Sequence, residues 1–259
     1  MKRFLYLILP VLLLATALTG TARQRDASGA PAGERLLAVG GDISPGCVTA
    51  VHDGYTASYS TLHRQPLWVS WSLAPEEVVS DGDVSRSDEF LPDPLIEGCV
   101  TTAAYSRTGY DRGHMAPAAD FRYDQRVQDE SFYMSNICVQ AHGLNEGTWF
   151  ELEKRCRFWA RDFYKTTLWI VAGPLFGENP ERVGKESLPV PSAFWKVVCK
   201  HDRGRWEAVG FVFPNEDLYD DYRKYAVSVD EVEALTGLDF YAGLDGALDE
   251  GSFDLSRWK

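Results

Sequence analysis

Hydrophobic positions fall into short blocks along this chain, and the spacing within the blocks changes from one region to the next. LWVSWSL (67–73), YMSNICV (133–139), LWIVAGPLF (168–176), AFWKVVCK (193–200) and WEAVGFVFP (206–214) are aromatic or β-branched runs bounded by Gly, Pro or charged residues. Such runs predict strands. The last two are joined through His201-Asp202-Arg203-Gly204-Arg205, a glycine-containing link that predicts a hairpin. From Asn145 to Tyr164 no proline intervenes, and Trp149, Leu152, Cys156, Trp159 and Phe163 recur at steps of three and four, which predicts an amphipathic helix. A second helix is signalled by Ser228-Val229-Asp230-Glu231, a capping-box pattern, and is closed by Gly237. Strands and helices do not alternate regularly, so the expected class is α+β, with a mainly antiparallel central sheet flanked by helices.

The first residues read differently. Lys2 and Arg3 precede an apolar run from Phe4 to Leu18 and then Gly20-Thr21-Ala22, which predicts a signal peptide over residues 1–22. That run falls short of the roughly 18 to 20 apolar residues of a spanning helix, so the expectation is export, to the medium or a periplasm, without stable membrane association after cleavage. Residues 23–46, rich in Gly, Ala and polar groups, read as a flexible leader, and residues 47–259 as one folded domain. Composition fits that domain: 45% hydrophobic and 25% charged residues are ordinary globular usage. Five cysteines (Cys47, Cys99, Cys138, Cys156, Cys199) in an oxidising compartment predict one or two disulfides, with at least one thiol left over and no pairing readable from spacing.

Charge narrows the function. The formal net charge of −12 becomes −14 once Lys2 and Arg3 are removed, which argues against a protein that coats nucleic acid through bulk electrostatics. Any nucleic-acid chemistry must come from a local site with a cation and convergent arginines.

Candidate groups for such a site lie close together. His114 follows Tyr110-Asp111-Arg112-Gly113 and precedes Met115-Ala116-Pro117; alone it reads as a structural histidine, but Gly113 permits close backbone approach and Asp111 can orient neighbours. His142 is the rival base. Asn145 has the look of a plain helix N-cap, yet a neutral amide oxygen also suits Mg²⁺. On an ideal helix advancing about 100° per residue from Asn145, Glu153 falls near ~80° and Arg157 near ~120°, one flank of the apolar stripe. Otherwise Glu153 and Arg157 form an ordinary surface ion pair. Arg86 and Arg112 are ordinary surface arginines unless they converge on the histidine, and Asn136 and Gln140 also fit a strand end.

YDRGHMAPAAD together with FYMSNICVQAHGLNEGTWFELE resembles the DNA/RNA non-specific endonuclease family, which includes secreted sugar-nonspecific nucleases and endonuclease G. VAGPLF, PVPSAFWKVV, FVFPN and VDEVEALTGLDFY resemble the family's later strands and closing helix in the same order. The resemblance implies a ββα-metal (His-Me finger) motif in a six-stranded mixed domain, with the histidine on the hairpin and the metal-binding asparagine on the crossing helix. It implies His114 as general base, Asn145 as the sole direct protein ligand of Mg²⁺ (Mn²⁺ or another divalent cation substituting), and Glu153 as acceptor from the ion's bound water. Arg86, Arg112, Asn136 and Arg157 become the phosphate and site-organising groups. The chain departs at Cys138-Val139, where the family commonly has a proline before the glutamine, here Gln140, and Met115 replaces a common leucine.

The function expected is that of an exported, Mg²⁺-dependent endonuclease cutting DNA and RNA with little sequence preference and leaving 5′-phosphate ends. The rivals are a catalytically silent extracytoplasmic protein that binds nucleic acid or a partner, and a phosphoesterase for small nucleotides. DNA and RNA are the expected partners; an inhibitor protein and a homodimer are left open.

Overall fold

A computed structural model describes residues 39–41, 46–78, 84–244 and 246–258. The predicted signal peptide and nearly all of the predicted leader lie outside the described residues. In chain order the strands are β1 (Val39–Gly41), β2 (Cys47–Val51), β3 (Tyr55–Ser60), β4 (Gln65–Leu73), β5 (Asp111–His114), β6 (Ile137–Gln140), β7 (Leu168–Leu175), β8 (Arg182–Val183), β9 (Leu188–Pro189), β10 (Ala193–Asp202), β11 (Arg205–Pro214), β12 (Ala226–Val227) and β13 (Leu238–Phe240). The α-helices are α1 (Gln125–Glu130), α2 (Trp149–Phe158) and α3 (Val229–Thr236).

The central sheet has seven strands in the order β12-β11-β10-β7-β4-β3-β2, every pair antiparallel. The antiparallel sheet is as expected, and it has seven strands where the resemblance implied six. Its middle strands are largely apolar because both faces are covered, with Lys196 and Lys200 buried among them. Trp71, Ile170, Phe194, Val198 and Phe211 face α2, whose Trp149, Leu152 and Cys156 pack on them. Trp169, Trp195, Val197 and Cys199 point the other way, toward Val229 and Val232 of α3 and toward Phe240 and Tyr241. Each fully buried side chain of this size contributes about 1.5–3 kcal/mol.

Local signals mostly hold. The β10–β11 hairpin closes at Asp202↔Arg205 around Arg203 and Gly204, whose φ values of 49° and 78° are the paired positive angles a tight two-residue turn requires. Helix α3 begins with Ser228 Oγ accepting from Glu231 N at 3.2 Å while Glu231 Oε2 accepts from Ser228 N at 2.8 Å, and it ends at Gly237 with φ 70°. The run 133–139 departs from expectation: Met134–Asn136 is a 3₁₀ turn, and strand pairing begins only at Ile137.

The predicted helix from Asn145 is α2 with a wide turn at each end, Leu144–Thr148 and Trp159–Phe163. It is not one regular helix, because Gly147 sits at φ −103°, ψ −114°. A Cβ there would lie 2.2 Å from the Leu218 carbonyl, so the chain bends where only glycine fits. The ideal wheel drawn from Asn145 therefore fails across Gly147. Within α2, the Glu153 and Arg157 spacing survives.

The disulfide expectation is also corrected: all five cysteines are free thiols. Cys199 lies on the opposite face of the sheet from Cys138 and Cys156, so the sheet itself separates them. Among the described residues, no helix is long and apolar enough to cross a membrane.

Candidate active site

Strands β5 and β6 form a separate two-stranded ribbon with register Asp111↔Gln140 through His114↔Ile137. The chain then turns through His142 and Gly143 into the segment that carries Asn145 and continues as α2. Ribbon plus helix is the ββα arrangement, packed on the α2 side of the sheet through Met115, Cys138 and Leu152.

The end of β5 is pinned by Asn136. Its backbone carbonyl accepts from Met115 N at 3.0 Å, its Oδ1 accepts from Ala116 N at 2.9 Å, and its Nδ2 donates to the carbonyls of Ala116 and Ser131, both at 2.8 Å. Asn136 is fully buried. Its amide is spent on backbone, so Asn136 holds the chain segment that aims His114.

His114 lies between two aromatic rings, 4.9 Å from Phe132 edge-on and 5.5 Å from Phe90 between centroids. Its Nε2 is enclosed and has no hydrogen-bond partner among the described residues. Burial lowers its pKa to about 3, the positive charges of Arg86 and Arg112 push the same way, and Asp88 opposes them. The imidazole is therefore neutral, with a lone pair to offer. Arg86 and Arg112 do converge here: Arg112 stacks 4.2 Å above Phe90 and donates to Thr102 Oγ1 at 2.7 Å, and Arg86 stacks 5.0 Å from the Phe132 ring and pairs with Asp88 at 2.5 Å.

Asn145 does not cap its helix. Its Nδ2 donates to Asp111 Oδ2 at 2.9 Å, an oxygen that also meets His142 Nδ1 at 2.9 Å. A carboxylate only accepts, so the amide must turn its NH₂ group to Asp111, which leaves the Asn145 Oδ1 for a cation. Asp111, His142 and Glu146 also offer one ligand atom each within 4.8 Å of one another. These are hard oxygen donors with a single imidazole, a set that fits a hydrated divalent ion such as Mg²⁺ better than a soft thiolate-seeking metal. His142 is exposed, its pKa raised by the hydrogen bond to Asp111. An exposed ring already hydrogen-bonded to Asp111 suits a base less well than the unpartnered His114.

Glu153 and Arg157 lie on the sheet side of this ribbon, and they are not a surface pair. Arg157 donates to Asp120 Oδ1 at 2.8 Å, and Asp120 Oδ2 accepts from Trp71 Nε1 at 3.0 Å. Glu153 is buried, and burial raises its pKa to about 7 although Lys196 and Arg157 pull it down. Lys196 itself is buried 4.0 Å above the Trp149 ring, its pKa lowered by burial. Gln140 is wholly buried, and neither end of its amide has a partner among the described residues. Sequence reading missed Phe90, Phe132, Asp120 and Lys196. Lys196 left a signal as a charge inside the apolar run AFWKVVCK, and Asp120 and Phe132 stand at the ends of the two motifs without a sign of their contacts.

Comparison with known proteins agrees with this geometry. The sequence profile of the family described as DNA/RNA non-specific endonuclease matches residues 32–247. A nuclease of Nostoc sp. is 33% identical over 215 residues, 78% of this chain and 76% of its own length. Human mitochondrial endonuclease G is 32% identical over 203 residues, 73% of this chain and 67% of its own. Among solved structures, a chain of the EndoG/EndoGI complex, a crystal structure concerned with the mechanism of EndoG inhibition, superposes with a TM-score of 0.69 at 30% identity, covering 74% of this chain and 85% of that one. The chain belongs to the DNA/RNA non-specific endonuclease family, with its ββα-metal fold, and is a nuclease of that class.

Proposed function

We propose that the chain is an exported, Mg²⁺-dependent endonuclease in which His114 is the general base. The observation that carries this reading is the His114 imidazole, held neutral with an unpartnered Nε2 and flanked by Arg86 and Arg112. A neutral imidazole can take a proton from water that attacks phosphorus, and the two guanidiniums can hold the non-bridging oxygens. Asn145, oriented by Asp111, would bind the ion, and Glu153 would accept from its water. When bound, Mg²⁺ supplies positive charge for the developing oxyanion and the departing 3′ oxygen, which leaves a 5′ phosphate. Arg157 orders Asp120 beside Glu153. Contacts to phosphate rather than to base edges give cleavage of DNA and RNA with little sequence preference.

The test compares wild type, His114→Ala and His142→Ala on supercoiled plasmid and on RNA, each with Mg²⁺ and with EDTA. Both substrates should be cut by wild type and by His142→Ala with Mg²⁺ only, and His114→Ala should lose at least a hundredfold, within the range general bases supply, about 10²–10⁴. Equal cutting by His114→Ala would remove the base assignment. Phosphate release from mononucleotides with intact plasmid would favour a small-nucleotide phosphoesterase instead.

Export rests on the signal peptide read over residues 1–22. N-terminal sequencing of protein from the extracytoplasmic fraction should begin after Ala22. An inhibitor protein is proposed as a partner because EndoG is bound by EndoGI in the related complex. A homodimer is proposed as well, and a native mass measurement checks it.

A further inference from the structure

The space around His114 is built from two rings that are distant in sequence. Phe90 ends an extended segment, and Phe132 follows α1, with its amide bonded to the Asp129 carbonyl at 3.1 Å. A parallel bridge between Leu91 and Tyr133 fixes the two against each other: Leu91 N donates to the Phe132 carbonyl at 3.3 Å and Met134 N to the Leu91 carbonyl at 2.9 Å. The rings meet edge to face, centroids 5.1 Å apart at 76°. His114 is set against both, and each ring carries a guanidinium, Arg112 on Phe90 and Arg86 on Phe132.

We propose that Phe90 and Phe132 are positioning residues of the nuclease site, a paired aromatic platform that fixes the His114 ring and holds Arg86 and Arg112 in the planes from which they grip phosphate. The proposal rests on the reading of His114 and the two arginines given above. Its chemistry is specific to aromatics. A ring face is electron-rich and attracts a guanidinium, and a stacked guanidinium keeps its donor fork in a fixed plane. Among the described residues each arginine has one other hydrogen-bonded side chain, Asp88 for Arg86 and Thr102 for Arg112, so the ring supplies the second constraint on its orientation. A leucine in either place would fill volume and shed water without offering that face. The charged groups that act on His114 are Arg86 and Asp88 from the segment before Phe90, and Arg112 from β5.

The experiment compares Phe90→Leu, Phe90→Trp, Phe132→Leu and Phe132→Tyr in the full chain, with melting curves to verify folding and kcat and KM measured separately on a defined oligonucleotide with Mg²⁺. Phe90→Leu should raise KM about fivefold, the factor that a contact of about 1 kcal/mol represents, with kcat within about twofold. Phe90→Trp, which keeps the face, should stay near wild type. Phe132→Leu should raise KM similarly, with Phe132→Tyr retaining it, and the His114 ring followed by NMR without substrate should titrate at higher pH in Phe132→Leu. Because Phe132 is fully buried, the half-buried Phe90 pair keeps the comparison decisive should Phe132→Leu unfold. Leucine and aromatic variants with the same KM and the same His114 titration would overturn the platform. That failure differs from failure of the nuclease reading itself, in which wild type and His114→Ala would cut alike.

Discussion

One oxygen of Asp111 faces both the Asn145 amide and His142, at 2.9 Å in each case, so this carboxylate decides which atom the asparagine presents to a cation. Removing it in Asp111→Ala frees the amide to rotate and removes a negative charge beside the ion. Groups that orient a metal ligand change affinity by about 10- to 100-fold. The Mg²⁺ concentration for half-maximal cutting should rise by that factor, and calorimetric Mg²⁺ titration without substrate should weaken in parallel. An unchanged titration would separate Asp111 from the metal.

Glu153 sets two pH dependences of opposite sign. Its carboxyl titrates near 7 in the fold against an ordinary value of 4.5. Folding favours the protonated form, so this stabilisation is complete below about pH 4.5 and is lost as pH rises through 7, a change of about 3 kcal/mol. In EDTA, the wild-type melting temperature should fall from pH 5 to pH 8 more steeply than that of Glu153→Gln. In the role proposed for Glu153 the carboxylate is the active form, so activity should rise over the same interval, with the limb moving to lower pH as Mg²⁺ is raised because positive charge favours ionisation. His114, neutral above about pH 3, contributes no limb there. A wild-type pH–rate profile unchanged in Glu153→Gln would refute the assignment.

How far these relationships could be read from sequence depends on their range. Ser228 with Glu231, the Arg203-Gly204 turn and the strand runs are local choices of backbone geometry, and they fold as the pattern says. The ribbon and Asn145 were legible through their motif. Periodicity predicts which face of a helix is apolar but not which residue meets it: the four-residue step offers Arg157 only Glu153 as a neighbour, whereas its guanidinium donates to Asp120, 37 positions back. Phe90 and Phe132 are brought together by a backbone bridge that no local pattern encodes. Gly147 carried no sign that Leu218 would press against it.

The Arg157–Asp120 pair is buried, with side-chain exposures of 15% and 2%. Breaking a pair of this kind leaves one charge uncompensated and costs about 3–5 kcal/mol. Asp120→Ala also strands the Trp71 indole N–H. Thermal melts should show a fall of about 10 °C for Asp120→Ala. Asp120→Asn, which still offers an oxygen to Trp71 and a dipole to Arg157, should lose less. Equal losses would mean that the charge contributes nothing.

Gly113 and Gln140 divide one small volume between them. A Cβ added to Gly113 would lie 2.0 Å from Gln140 Oε1 and 2.6 Å from Gln140 Cβ, so glycine is required by the glutamine beneath it rather than by its own backbone angles. Gly113→Ala should destabilise the ribbon by about 1–3 kcal/mol through overpacking and shift His114, the next residue, out of line. Shortening the neighbour relieves only part of this. In the double variant Gly113→Ala, Gln140→Ala the amide clash is gone, but the two Cβ atoms still contend, so stability should return partway and activity less. Gln140→Met alone removes an amide without partners and should melt at or above the wild-type temperature, since a buried unsatisfied polar group costs about 1–3 kcal/mol. If Gly113→Ala proved as stable as wild type, the packing account of this glycine in Asp111-Arg112-Gly113-His114 would be wrong, and its place there would have to come from the approach of substrate.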